Sequence, residues 1–595
     1  MDSKRPQLML RVPTPDQRSL TFCDATPAGL KRWLEQLPRA KLGEFARLLY
    51  QGLLELNRLI LTAEARLRLL EALRPDVQRV CQQLERHVLN QAIVLDERSR
   101  KVANLCQALQ NLLAAGYKLI VVEESERGER SNLLATAIQR ALRALFGPLI
   151  RAAQLYTPVH DNLWLELHQL YRLAVTSGLH NQKIRDELLP GDGSQTITQA
   201  YSAALLFGAA RCNQLRQSHI AQLTLHLDDW AGLVRLQGPE QNGTLMVVAP
   251  QIDAPPRYRS LLREASLNGL LGLAPQALVQ AIEDYLALAP EQRPRARLPV
   301  HGDLSLDLLQ HLVGAWGQEA DRAFQRMPGN GQVQVCIGMS ALHYQLAGGQ
   351  VFADTLQQAA AQVPETFTPK PKEDVWSLAF DADSRTAETL EWDAGALEEI
   401  HYDVLPGEGD STSPAFPIHQ VQVVNHSPGG YCLSWSGEVP EQLQAGELLG
   451  VKLPEDRNWG PAVVRWVRQV PGSGTQMGVE LLAPTARPCG LQLLRKAEQN
   501  SQYLRALLLP EIKAIDQAPT LIAPRLPFQE GSKVQINQQG SEQRGMLDRR
   551  RSMTVSFSVF EYHLLEQASA QPTGSPSGSS GGRQEEDFDS LWKSL

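Results

Sequence analysis

The sequence predicts a multidomain α plus β protein: a large N-terminal α-helical bundle or solenoid, a small α+β middle region and a C-terminal antiparallel β-barrel. Three observations lead there. Apolar residues recur at helical spacing through the first 230 positions, as at Leu30, Trp33, Leu34 and Leu37 and again at Val102, Leu105, Cys106, Leu109, Leu112 and Leu113. From about Ile418 to Ala483 the period changes to two, in short runs bounded by Gly, Pro and Asn. The 595 residues leave room for three or more domains.

Residues 1–230 read as helix after helix. Thr26 caps the first, with Pro27 at its opening position and Pro38 beyond its end. Gly116 is the expected C-cap of the helix through Val102. Further helices are expected near 40–57, 60–73, 75–92, 132–146, 162–176 and 195–216. Trp164, Leu167 and Tyr171 are similar to the first helix of a tetratricopeptide repeat, but no second copy follows 34 residues on, so a bundle or irregular solenoid is expected. Arg66, Arg68, Arg74, Arg140 and Arg143 are expected on a solvated face, with a partner-binding groove as the sharper alternative.

Residues 231–363 mix patterns. Leu245–Val248 reads as a short buried strand, 275–289 and 305–326 as helices, and Val333, Val335 and Ile337 as an alternating strand after the turn Pro328-Gly329-Asn330-Gly331. A small α+β domain follows. His301, Asp303 and His343 are not at ligand spacing, and no metal is expected. Pro364, Pro369 and Pro371 open an acidic linker, 364–416.

Residues 417–490 hold the β-barrel. Val421 and Val423, then Tyr431, Leu433 and Trp435, then Leu449, Val451 and Leu453, then Val464 and Trp466, then Met477, Val479 and Leu481 form its strands, with Trp435 and Trp466 in or near the core. The turn Asn425-His426-Ser427-Pro428-Gly429-Gly430 offers two short polar side chains and two glycines that permit positive φ. Asn425, Ser427 and Gly430 fit Asp/Asn-x-Ser-x-x-Gly. With the strands Val464-Arg465-Trp466 and Gly478-Val479-Glu480-Leu481-Leu482, this stretch resembles a PilZ domain. The resemblance implies a bacterial barrel that binds the second messenger cyclic di-GMP, with Asn425, Ser427, Gly429 and Gly430 at the ligand. Nucleotide-binding PilZ domains carry Arg-x-x-x-Arg just before the first barrel strand. Here 407–414 contains no arginine, and the Arg293/Arg297 string is assigned to another domain. Cations for the phosphates are therefore expected from Arg465, Arg468 and the loop Arg549-Arg550-Arg551, with Arg550 at its centre.

Residues 491–566 are expected to hold a short amphipathic helix somewhere within Leu491 to Leu508, and further strands at Leu521, Val534 and Val555 to Val559. Residues 567–595 read as a disordered tail ending in an acidic amphipathic stripe: Phe588, Leu591, Trp592 and Leu595.

Composition excludes several classes. A net charge of −7 leaves no basic footprint for nucleic acid. No run of about 18 apolar residues is found, so no membrane span is expected. Residues 1–6 lead into no apolar signal region, and seven scattered cysteines suit a reducing cytoplasm. No phosphate-loop, nucleophile-elbow or zinc-protease motif occurs, so an enzyme is not expected. The leading expectation is a cytoplasmic bacterial PilZ effector that binds cyclic di-GMP and regulates a protein partner through its helical region or tail. The alternative is a PilZ-like scaffold or protein-interaction module that binds no nucleotide.

Overall fold

A computed structural model describes residues 8–89, 91–127, 131–189, 193–263, 267–302, 304–317, 326–357, 416–494, 501–511 and 518–565. Residues 364–415 of the linker, Asp303 and the tail with Phe588, Leu591, Trp592 and Leu595 lie outside these residues.

Among the described residues, eight α-helices make up most of the N-terminal part: α1 (Pro27–Gln36), α2 (Leu42–Arg58), α3 (Ala63–Glu85), α4 (Glu97–Arg127), α5 (Ser131–Gln154), α6 (Leu163–Thr176), α7 (Ile197–Ala209) and α8 (Gln217–Trp230). Thr26 caps α1 as its sequence requires, accepting from the Gly29 N–H. Two expectations change. The helices expected at 60–73 and 75–92 are the single helix α3, with Pro75 inside it. Gly116 is no cap, because α4 runs on to Arg127. It sits where a Cβ would come 2.7 Å from Leu70 and 2.8 Å from Asn57, so it permits α4 to lie close against α2 and α3.

The arginines expected on a solvated face are largely internal. Arg66 is 2% exposed and donates to the Leu56 and Leu59 carbonyls. Arg74 and Arg140 converge on the fully buried Asp186, which sits between the two short strands β1 (Lys183–Arg185) and β2 (Ser194–Thr196). Both α4 and α5 contain an 18-residue window of mean hydropathy 1.3, long and apolar enough to cross a bilayer. This departs from the sequence expectation; in the fold 50% and 61% of those windows are buried.

Between residues 231 and 357 lie β3 (Arg235–Gln237), β4 (Met246–Val248), β5 (Arg257–Tyr258) and β6 (Leu271–Ala274), paired in the order β3-β6-β4-β5. After them come α9 (Gln276–Ala287), α10 (Leu306–Gly317), β7 (Met327–Pro328), β8 (Gln332–Ile337), α11 (Gly338–Leu346) and α12 (Phe352–Leu356). The strand β8 does not join the small sheet. It pairs with β9 (His419–Ser427) on one side and β11 (Leu448–Lys452) on the other.

With β10 (Gly430–Trp435), β12 (Gly460–Val470) and β13 (Gly474–Leu481), the pairings run β8-β9-β10-β13-β12-β11 and back to β8. The ring is a closed antiparallel barrel whose first strand lies about eighty residues upstream of its second. Its interior is filled by the alternating residues Val333, Val335, Val421, Val423, Leu433, Trp435, Val464, Val467, Met477 and Val479. Trp435 is in this core. Trp466 is not: a bulge at Arg465 turns it to the outer face, where it is half-buried across Gly478.

A second closed barrel follows: β14 (Arg487–Leu493), β15 (Leu504–Leu509), β16 (Thr520–Pro524), β17 (Lys533–Gln538), β18 (Ser541–Met553) and β19 (Phe557–Leu564), in the order β14-β15-β16-β19-β18-β17. Of the stretch expected to include a short helix, 491–494 and 501–508 contain no helix and contribute to β14 and β15, whose partners bury Leu491, Ala506 and Leu507; 495–500 lie outside the described residues. Ala341 and Leu342 of α11 fill the space between the two barrels, against Trp459 and Val463 of the first and Leu507, Leu509 and Phe557 of the second.

Candidate functional site

The motif turn is a two-residue hairpin. Ser427 pairs with Gly430 across Pro428 and Gly429, and Asn425 pairs with Cys432. Val424 is the extra residue of a bulge at that point, which breaks the strict alternation beside the motif. The two glycines differ. Gly430 alone of the pair has a positive φ, +154°. A Cβ there would lie 2.0 Å from the Val479 carbonyl oxygen and 3.0 Å from the Glu480 Cα. Its absence lets the turn press directly onto β13. Gly429 contributes its carbonyl, which accepts from the Leu481 N–H at 3.0 Å. The turn is thus fixed to β13 at two points.

Around it lies the outer face of the barrel. Gly430 is in register with Glu480, and Glu480 accepts from Arg465 Nε at 2.6 Å. Both side chains are about half exposed, so this pair adds little stability and its guanidinium can be drawn away by a stronger anion. Two residues along β13 from Glu480, Gly478 leaves room for the Trp466 indole to lie over the strand. Arg468 sits over the Trp466 ring at 5.2 Å and donates to Gln476 Oε1 at 2.7 Å.

The fourth wall comes from upstream. The strand β7 pairs with β9 at the motif itself, Met327 with His426 and Pro328 with Asn425. Arg326, directly before β7, is exposed. Burial raises the Cys432 thiol, while Arg468 and Arg326 both pull it back, so both guanidinia lie within electrostatic reach of the residue opposite Asn425.

The first barrel strand is β8 and not β9, so the segment ahead of the barrel precedes residue 327, and it reads Arg322-Ala-Phe-Gln-Arg326. The Arg-x-x-x-Arg string is present; Arg322 lies outside the described residues. A signal for it existed in the alternation of Val333, Val335 and Ile337, which belongs to the barrel and not to a separate domain.

The structure puts Arg550 elsewhere. Arg549–Arg551 form no loop; they lie within β18 of the second barrel. The Arg550 N–H donates to Glu530 and its side chain contacts Met553 Sδ at 3.2 Å, while Arg551 pairs with Glu561. Among the described residues Arg550 makes no hydrogen bond or ion pair with residues 425–430. His301 bonds Asp229, and the buried His343, lowered to about 4 by burial, faces the Cys489 carbonyl at 3.3 Å. Among the described residues no three His, Cys, Asp or Glu side chains converge as a metal site.

A closed barrel with Arg-x-x-x-Arg ahead of its first strand and Asn-x-Ser-x-x-Gly between the next two defines a PilZ domain. Comparison with known proteins agrees. Residues 28–241 match the N-terminal domain of the cyclic-di-GMP receptor FimW, residues 245–488 its middle PilZ domain, and residues 489–565 its C-terminal β-barrel domain. The cyclic-di-GMP receptor FimW of Pseudomonas aeruginosa is 54% identical over 614 aligned positions, spanning 100% of both chains. The chain belongs to the FimW family. No solved structure matches it.

Proposed function

We propose that this chain is a cyclic di-GMP receptor, a binding and signalling protein and not an enzyme, whose ligand site is the outer face of the first barrel around Asn425, Ser427 and Gly430. The observation that carries the reading is the pairing of β7 with β9, which sets Arg326 beside the motif turn. Two anionic phosphates need cations, and Arg326, Arg465 and Arg468 supply them. The Trp466 ring carries Arg468 over it at 5.2 Å, so the indole positions that guanidinium for the ligand. Gly429 and Gly430 hold the turn against β13, and the short side chains of Asn425 and Ser427 then meet the ligand.

The same strand gives a route to the helical part. Arg465, Trp466 and Arg468 lie on β12. The next residue, Gln469, donates from its side chain to the Ile93 and Leu155 carbonyls and from its backbone to Tyr156. A nucleotide that repositions Arg468 therefore acts one residue from the contact with the α-helical domain, through which a protein partner would be regulated. A second-messenger ligand and free cysteines at all seven positions suit a cytoplasmic chain.

Calorimetric titration of the full chain with cyclic di-GMP tests this. A charge-assisted Arg–phosphate bond contributes roughly 1.5–3 kcal/mol, so Arg326→Ala should weaken binding by about ten- to a hundredfold. Ser427→Ala should weaken it less, and Arg550→Ala should leave it unchanged. Binding insensitive to Arg326 and lost with Arg550 would move the site to the second barrel.

A further inference from the structure

Beside the motif turn, at the mouth of the barrel, lies a cleft of about 310 Å³. It is lined by Tyr431, the residue after Gly430, and by Leu481, whose N–H is bonded to the turn at Gly429. Leu453 lines it as well, with Asp456, Arg457 and Asn458 from the loop between β11 and β12. The volume is at the small end for ligand clefts, which run from ~300 Å³ upward; it accommodates one heterocyclic base and not a whole dinucleotide. Asp456 and Arg457 are exposed, and neither has an ion-pair partner among the described residues. The Tyr431 hydroxyl is raised, first by burial and then by the nearby Asp456 carboxylate, which places that carboxylate in the same space as the ring.

We infer that this cleft is a guanine pocket, in which Asp456 and Arg457 read the edge of one base of the bound dinucleotide; the inference rests on the nucleotide reading above. The donor and acceptor pattern is specific. Guanine presents N1–H and N2–H₂ as donors, which a carboxylate accepts, and O6 and N7 as acceptors, which a guanidinium donates to. Tyr431 supplies an aromatic surface, with Leu453 and Leu481 as apolar walls. Adenine has an acceptor at N1 and a donor at the six position, so it meets Asp456 and Arg457 with like groups opposed. The loop therefore sets base choice, while the arginines on the outer face hold the phosphates.

The test is a matched pair of titrations of the full chain, with cyclic di-GMP and with cyclic di-AMP. The wild type should prefer the guanine ligand strongly. Asp456→Ala should weaken cyclic di-GMP about tenfold or more and bring the two ligands closer in affinity; Arg457→Ala should act in the same direction. Arg326→Ala should weaken both ligands and leave their ratio unchanged. Because Asp456 and Arg457 are exposed, their variants should melt with the wild type. If the wild type binds cyclic di-GMP but the Asp456 and Arg457 variants keep both affinity and base preference, the cleft is not the base pocket and the nucleotide reading stands. If the wild type binds neither ligand, both readings fall.

Discussion

The sharpest structural prediction concerns Gly430→Ala. A methyl group at that position would sit 2.0 Å from the Val479 carbonyl oxygen, about 1.5 Å short of an ordinary contact of ~3.5 Å. The obstacle is backbone in the middle of a paired strand, so no side chain can swing aside. Either β10 or β13 must move, which opens the pairing of Gly430 with Glu480 and of Tyr431 with Val479. Overpacking of this kind costs roughly 1–3 kcal/mol, and a non-glycine residue held at φ +154° adds strain of order 1–3 kcal/mol. Together these give a loss of about 2–6 kcal/mol in the stability of the first barrel. The comparison is Gly437→Ala, where the added Cβ meets nothing within 4 Å; it should be close to neutral. Urea unfolding of both variants, followed by tryptophan fluorescence with Trp435 as the barrel-core contributor, separates them by their midpoints. Equal midpoints for the two would refute the account of why the motif ends in glycine.

Three further outcomes follow. Trp435→Ala should cost about 3–5 kcal/mol as a core truncation, whereas Trp466→Ala should cost only about 1–2 kcal/mol, in proportion to its half-buried area, and should weaken the ligand; thermal melts of the two decide this. Arg216 of the loop before α8 donates to the Ala445 carbonyl, to Glu447 and to Ser556, so it joins the helical part to both barrels. Arg216→Ala should cost about 3–5 kcal/mol near neutral pH, because it leaves Glu447 buried without its cation. The pH dependence has a definite sign. Burial already raises the Glu447 carboxyl, with Ser556 and Arg216 opposing it; without Arg216 it rises further. A carboxyl raised in the folded state binds its proton more tightly there, so the variant loses stability as pH climbs from the ordinary carboxylate range through that raised pKa. Melts of the variant against wild type should show a smaller deficit at pH 5 than at pH 7.5.

Local signals carried much of the architecture. The helical stripes around Leu30 and Leu109, the Thr26 cap, and the period-two runs from Val421 to Leu481 appear where their patterns put them. The losses came from contacts distant in sequence. Nothing local tells that Val333 and Val335 complete a barrel whose next strand begins at His419, so the arginine pair upstream of β7 carries no local signal of its role. Gly116 and Gly430 read locally as a cap and a flexible turn, yet each is needed because another element lies where a side chain would go. Arg74 and Arg140 look like surface residues until Asp186, far along the chain, is brought between them. The motif residues Asn425, Ser427 and Gly430 were legible because their spacing is local; their cations were not, because Arg326 reaches them only through the pairing of β7 with β9.

Hydrogen–deuterium exchange of the full chain, with and without saturating cyclic di-GMP, tests the central claim most directly. The account predicts added protection at 326–331, 425–431 and 465–468, the three segments that meet on the outer face of the first barrel. No change in those segments, or protection confined to 541–553 in the second barrel, would contradict it.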